Sequence, residues 1–232
     1  MGGKIWQELL SATVGVRPAK GKEGNRMSDR WKYVERGKLE SIAAMSLVNC
    51  HAVGVDSVLF DDTPGARLRA FIAQPTHDLW RNYGFHGRTL SVGLHPHHCY
   101  VVLSPIFGEI WNVTPAPSVK GKRYAAFKFD SPINGKSGQF VPVGSEDMTN
   151  VRLGREILQR PILMAAREIH TVYVPHGSTA AWYVREGDED PSFSGLCWSD
   201  DDLTQFDFAP LYKPMSVDYL TGVLKMLKVG IR

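Results

Sequence analysis

The stretch Gly93-Leu94-His95-Pro96-His97-His98-Cys99 holds three of the chain's eight histidines. Side chains two residues apart on a β-strand project from the same face, so His95 and His97 are expected to point together. Two imidazoles on one face can share one metal ion. Pro96 lacks a backbone N–H, which suits the end or the edge of a strand. This stretch therefore predicts half of a metal site at the end of a β-strand.

A third ligand has to come from elsewhere, because a facial metal site uses three donors and leaves positions open for substrate or oxygen. His170 is the candidate, since it begins an apolar strand that ends in the turn Pro175-His176-Gly177. A second strand over residues 180–184 follows this turn. Such a hairpin can carry His170 back across a barrel to the first pair. Three other histidines are interpreted as structural, His51, His77 and His86, although the loop that contains His86 could line the mouth of a barrel.

Short β-rich runs separated by turn signals fill most of the chain, at a spacing of about ten residues that is typical of sandwiches and barrels. Neither a βαβ alternation nor a glycine-rich phosphate loop after a strand is present, which argues against a nucleotide-binding α/β fold. The predicted strands cover residues 53–60, 67–73, 89–93, 100–107, 110–114, 124–129, 139–143, 162–166, 170–174 and 180–185.

His-x-His, a following strand with a turn at Gly108, and a lone histidine before a later hairpin resemble the cupin superfamily over roughly residues 88–187. The resemblance implies a mainly β fold, a cupin-type β-barrel or jelly roll, whose interior holds a metal ion, often iron. It gives the roles of metal ligands to His95, His97 and His170. Many cupins add a glutamate ligand soon after the second histidine, but residues 101–104 are Val-Val-Leu-Ser here.

The expected organisation is one barrel domain with helical additions. Residues 1–39 are interpreted as an N-terminal helix over 4–11 and a basic arm over 15–30, and residues 40–210 as the barrel. Residues 211–232 contain a helix that packs on the barrel, which Ser216 could cap. Its apolar stripe consists of Leu220, Val223, Leu224 and Leu227.

Composition limits the partners and the location. The formal net charge of +3 is too small and too scattered to predict binding to nucleic acid. No window reaches the roughly 20 apolar residues that span a bilayer, so no membrane partner is expected. Three cysteines are too few for a disulfide framework, which favours a cytoplasmic location. By analogy with barrels that pair through their edges, we expect a homodimer.

The predicted function is that of a metal-dependent cupin-type enzyme, an Fe(II)-type oxygenase acting on a small polar or anionic molecule. One divalent ion is expected, with Fe(II) favoured and Mn, Ni or Zn open. An isomerase or lyase is open as well, because a bound ion can polarise a carbonyl. Two alternatives of other classes also remain: a barrel that binds a small molecule without catalysis, and a structural or assembly barrel without metal.

Further site residues are predicted from their types and positions. Glu109 and Tyr173 are candidates for the general acid or base. Arg67 and Arg69 share one strand face and could hold a carboxylate or phosphate by bidentate contacts, although a solvated face is the alternative. Trp182 is a candidate for a wall of the substrate pocket, with a place in the core as the alternative.

Overall fold

A computed structural model of the chain describes residues 32–79, 93–130, 139–188, 195–200, 202–204 and 206–232. The helix expected over residues 4–11 and the basic arm over 15–30 lie outside these ranges, as does most of the strand expected over 89–93. Residues Tyr33–Arg232 form one compact unit.

The larger sheet has seven strands, numbered in chain order across the unit: β2 (Leu47–Val48), β3 (Val55–Asp61), β4 (Arg67–Ala73), β6 (Val101–Phe107), β10 (Ile162–Met164), β12 (Ala180–Glu186) and β14 (Lys213–Pro214). Their order across the sheet is β10-β6-β12-β4-β3-β2-β14, and the pairings are antiparallel. Strand β12 therefore lies between two strands from much earlier in the chain, as barrel closure requires.

The second sheet contains β5 (His95–Pro96), β7 (Trp111–Asp130), β8 (Gln139–Pro142), β9 (Met148–Ile157), β11 (Ile169–Tyr173) and β13 (Leu196–Ser199). Its order is β13-β7-β11-β5, and β8 and β9 also pair with the long strand β7. A separate parallel pair joins β1 (Tyr33–Val34) to β15 (Gly230–Ile231). The two antiparallel sheets confirm the expected mainly β fold, and their strand order agrees with the expected barrel.

Alternation along β4 separates the interior of the barrel from its helical cover. Leu68, Ala70 and Ile72 alternate with Arg67, Arg69 and Phe71, so the two sets face opposite sides of the sheet. Phe71 belongs to a buried cluster against which Phe129 and Val172 of the second sheet pack, which places this face inside the barrel. The other face packs against the helices.

Two short helices cover that outer face: α1 (Leu39–Met45) and α2 (Val217–Met226). The Ser216 side chain accepts a hydrogen bond from the Tyr219 N–H, which confirms the predicted cap. The predicted stripe of α2 is buried, in one cluster with α1 and the outer residues of β3 and β4: Leu220, Val223, Leu224 and Leu227. Among the described residues, neither helix has the length and apolarity that crossing a membrane requires.

The short strands β1, β2, β13, β14 and β15 were not predicted, and three larger elements also differ from the expectation. Strand β9 pairs with β7 through its backbone, but it is mostly exposed and rich in polar residues. Its sequence therefore lacks the alternation of apolar and polar residues that predicts a strand. Strand β7 is continuous where two separate strands were expected, over 110–114 and 124–129. Helix α1 has only seven residues, too few for a helical period to stand out.

Candidate metal centre

His95, His97 and His170 come together in the barrel as the sequence predicted. Strands β5 and β11 pair antiparallel with His95 directly opposite His170, and His97 follows β5 by one residue. The ring centroids lie 5.3 Å apart for His95 and His97, 5.4 Å for His95 and His170, and 5.0 Å for His97 and His170. One ligand atom from each side chain lies within 4.8 Å of the other two. Three imidazoles therefore converge on one point.

Hydrogen bonds on the far side of two rings set their tautomers. The Nδ1 of His95 lies 3.0 Å from the Gly93 carbonyl oxygen, and the Nδ1 of His170 lies 2.8 Å from the Asn112 Oδ1. Both partners are acceptors, so each Nδ1 carries the proton and donates it. The Nε2 lone pairs of His95 and His170 are therefore left for another partner.

Burial keeps these imidazoles neutral. It is the main cause that lowers the pKa of His95, and that lowers the pKa of His97 and His170 well below the usual range. The neighbouring histidines lower the pKa of His97 and His170 further, because adjacent imidazolium charges repel each other. Neutral imidazole is the form that binds a metal ion.

The Nε2 atoms of His97 and His170 lie 2.8 Å apart. Two lone pairs at this distance repel each other unless a proton or a cation lies between them. A divalent ion satisfies both nitrogens at once, since metal-bound imidazoles bind through one nitrogen at about 2.0–2.1 Å. The donor set, its neutrality and its tautomers thus fit a divalent transition-metal ion.

Asn112 is a functional residue that the sequence reasoning missed. It lies in β7 directly opposite Val172, two residues from His170, and its side chain is buried. Within the run Trp111-Asn112-Val113 the sequence offers one weak signal, a polar residue inside an apolar strand. Its partner becomes visible only from the register of β7 against β11.

His51, which the sequence analysis interpreted as structural, lies beside the triad. Its ring centroid is 5.9 Å from that of His95 and stacks on Phe71 at 6.0 Å with an interplanar angle of 19°. The Nδ1 of His51 lies 3.0 Å from the Tyr212 hydroxyl oxygen. Burial, followed by the charges of His95 and Arg69, lowers the pKa of His51 to about 3, so this ring is neutral too.

Arg69 and Trp182 face the same interior. Trp182 pairs with Phe71 across β12 and β4 and stacks on it at 5.6 Å, with only 4% of its surface exposed. Arg69 lies two residues before Phe71, and its Nη1 lies 3.4 Å from the Ser57 Oγ. Arg67 lies one step further along this face, where its guanidinium forms ion pairs with Asp62 and Glu186 at 2.7 and 3.2 Å.

Glu109 and Tyr173 do not share the strand faces that bring Arg69, Trp182 and the three histidines together. Glu109 is exposed at the turn between β6 and β7, where its carboxylate accepts a hydrogen bond from the Trp111 indole N–H. Tyr173 follows His170 by three residues on β11 and so projects from the opposite face of the strand. The Arg155 guanidinium lies over its ring at 5.6 Å. The catalytic role of both residues stays a prediction.

Comparison with known proteins gives little sequence similarity. No family model and no curated protein matches the chain. Among solved structures, the polyketide cyclase RemF from Streptomyces resistomycificus is 12% identical, with a TM-score of 0.34 over 68% of this chain and 81% of its own. An oxalate oxidase is 15% identical, with a TM-score of 0.28 over 75% of this chain and 71% of its own.

Proposed function

We propose that this protein is a metal-dependent enzyme whose barrel holds one divalent ion on His95, His97 and His170. The observation that carries the proposal is the convergence of three neutral imidazoles, with ligand atoms within 4.8 Å of one another. Hydrogen bonds to Gly93 and Asn112 hold two of the rings with Nε2 unprotonated. A purely structural barrel has no need to bring three imidazole nitrogens this close together.

Within this proposal the ion is Fe(II) and the enzyme is an oxygenase, with Mn, Ni and Zn fitting the same nitrogen donors. Three protein ligands leave coordination positions open, and Fe(II) in such a site would supply the activation of oxygen. The protein's own contribution is to orient the three imidazoles, keep them neutral and present the substrate beside them. An isomerase or lyase would use the same residues with a different ion.

The proposed substrate is a small anionic molecule, and Arg69 is the residue that would bind it. Among the described residues, no carboxylate lies within 4.0 Å of its guanidinium, and Ser57 is its one hydrogen-bond partner. An interior cation without a counter-ion is costly, and a carboxylate or phosphate would satisfy its planar fork of donors. Trp182 and Phe71 would form an apolar wall beside it.

Elemental analysis tests the metal directly. The wild type, His97→Ala and His176→Ala are purified without added metal, then analysed before and after anaerobic loading with Fe(II). His176→Ala is the matched control because it removes an exposed histidine in a turn. About one ion per chain is expected in the wild type and the control, and almost none in His97→Ala. A wild type that binds no metal after loading would overturn the proposal and favour a binding or structural barrel.

The substrate residue is tested by comparing Arg69→Met with Arg67→Met in the metal-loaded protein. Loss of anion binding in Arg69→Met alone is the expected result, since Arg67 already pairs with two carboxylates. Equal losses would extend the anion site to Arg67, as the sequence analysis predicted.

The expected location and assembly are proposals as well. A cytoplasmic location agrees with three buried cysteines that carry free thiols. The proposed homodimer would pair through a sheet edge, where Leu163 on the edge strand β10 is 45% exposed. Light scattering of the purified protein distinguishes a dimer from a monomer.

A further inference from the structure

The His51 ring contacts three aromatic side chains, one of which is the candidate metal ligand His95. His51 lies in the loop between β2 and β3, and its ring centroid is 6.0 Å from that of Phe71 and 5.9 Å from that of His95. The ring of Tyr212 meets it edge-on, with centroids 5.8 Å apart and an interplanar angle of 87°. His51 therefore contacts both a candidate metal ligand, His95, and Phe71 on the strand face that carries Arg69.

The backbone is strained where this arrangement is built. His51 has a φ of 69° and Tyr212 a φ of 56°, both in the left-handed region that costs a non-glycine residue energy. The two residues are 161 positions apart in sequence and are joined by one hydrogen bond. Non-glycine residues keep such backbone angles only where the surrounding structure holds them there, and these residues concentrate at functional sites.

Asn49 fastens the His51 loop to the segment that carries Tyr212. Its side-chain amide donates to the Pro210 carbonyl at 2.9 Å, and its own carbonyl accepts from the Tyr212 N–H at 3.1 Å. Its backbone N–H donates to the Asp56 carboxylate at 3.3 Å. These hydrogen bonds fix the backbone segments that carry His51 and Tyr212 relative to each other.

The hydrogen bond between the pair defines which nitrogen of His51 carries the proton. Burial raises the pKa of Tyr212 well above its usual range, so its hydroxyl keeps its proton. A phenol hydroxyl donates more readily than it accepts, so the Tyr212 O–H donates to the Nδ1 of His51. The Nε2 of the neutral ring then bears the hydrogen and is the donor that faces away from Tyr212.

We propose that His51 determines substrate specificity: its Nε2–H donates to a second oxygen of a short carboxylic acid whose carboxylate is bound by Arg69. The inference rests on the proposed function and narrows its substrate class. Arg69 and Phe71 are two residues apart on one strand face, about 7 Å along the strand. His51 stacks on Phe71, so this spacing suits a hydroxy or oxo acid of two to four carbons.

The tautomer is tested first, in metal-free protein with ¹⁵N-labelled histidine. Two-bond ¹H–¹⁵N correlation spectra distinguish a proton on Nε2 from one on Nδ1, and His51→Gln assigns the signal. The expected result is a single Nε2–H tautomer in the wild type that becomes a mixture in Tyr212→Phe. A proton on Nδ1 in the wild type would overturn the inference, whatever the metal content.

Binding is tested with the cobalt(II)-loaded protein, whose visible absorption reports anions near the ion, using glycolate and acetate as probes. Acetate lacks the second oxygen. We expect His51→Phe to raise the Kd for glycolate about ten-fold, the loss of roughly one hydrogen bond, and to leave the Kd for acetate within about two-fold. Arg69→Met should weaken both probes. Tyr212→Phe, which keeps the ring, should weaken glycolate by about three-fold.

The outcomes separate the two proposals. A wild type that takes up no cobalt overturns the proposed function, and this role of His51 with it. Cobalt uptake with an unchanged ratio of glycolate to acetate affinity in both His51→Phe and Tyr212→Phe overturns the role of His51 alone. If His51→Phe also loses cobalt, the residue supports the metal site rather than the substrate, which again overturns the inference.

Discussion

The Nδ1 of His170 lies 2.8 Å from the Oδ1 of Asn112, and both side chains are buried. This hydrogen bond joins β11 to β7 and turns the Nε2 of His170 toward His97. Without the acceptor, a neutral His170 could place its proton on either nitrogen, and only one tautomer can bind a metal through Nε2.

Replacing Asn112 is therefore expected to weaken the metal site without removing a ligand. Asn112→Leu should lower metal affinity about 10–100-fold, the usual range for a lost partner of a ligating histidine. Competition with a chromophoric chelator measures the change. Asn112→Asp is the matched control, because its carboxylate still accepts from Nδ1. Equal affinity in Asn112→Leu and the wild type would show that the tautomer of His170 is set elsewhere.

His77 should make the stability of the fold depend on pH. Its Nδ1 accepts from the Leu79 N–H at 3.1 Å, and its Nε2 donates to the Pro175 carbonyl at 3.2 Å, so both nitrogens are used by the neutral ring. Burial is the main cause that lowers its pKa below 6.5.

A histidine whose pKa is lower in the folded state than in the unfolded chain favours folding at pH above about 6.5. The free energy of unfolding is therefore expected to fall as the pH drops below that value, because the unfolded state binds more protons. His77→Gln should cost about 1–3 kcal/mol at pH 7.5 and reduce the slope below pH 6.5. Urea unfolding of metal-free protein at several pH values measures both. If His77→Gln kept the full pH dependence of the unfolding free energy, that dependence would have to come from other groups.

Asp56 connects helix α2 to the barrel. Its side chain is fully buried and accepts from the Tyr219 hydroxyl at 2.8 Å and from the Gln74 side-chain amide at 3.1 Å. Tyr219→Phe should lower the free energy of unfolding by about 1.5–3 kcal/mol, the usual contribution of a hydrogen bond to a charged group. Tyr183→Phe is the control, since no hydrogen-bond partner of its hydroxyl is found among the described residues. Equal effects of the two changes would contradict the assigned role of Asp56.

Replacing two glycines with alanine should change the stability of the fold in opposite directions. Gly108 ends the turn before Glu109 with a φ of 80°, and a Cβ there would overlap the Thr179 carbonyl oxygen. Gly108→Ala should therefore destabilise the fold by about 1–3 kcal/mol. Gly222 lies inside α2 with open space around it, so Gly222→Ala should stabilise by about 0.5–1 kcal/mol. Thermal unfolding of both variants checks the signs, and a shared sign would contradict one of these two local descriptions.

The amino-acid sequence by itself determined the candidate ligands and the mainly β fold class. His95 and His97 are identified by their spacing, because residues two positions apart on an extended chain point to the same face whatever surrounds them. The alternation of apolar and polar residues in β4, and the cap and stripe of α2, are equally local. His170 was chosen because it begins an apolar strand that ends in a turn, and the pairing of β5 with β11 places it opposite His95.

Only the tertiary structure decided what surrounds these ligands. Asn112 meets His170 through the register of two strands, and His51 meets Tyr212 across 161 positions of sequence through a loop with strained backbone. Arg67 and Arg69 are alike in sequence, yet one pairs with two carboxylates and the other faces the interior with Ser57 as its described partner. Local patterns fix which face a side chain takes, whereas its partners depend on how distant strands align, and that depends on the packing of the whole barrel.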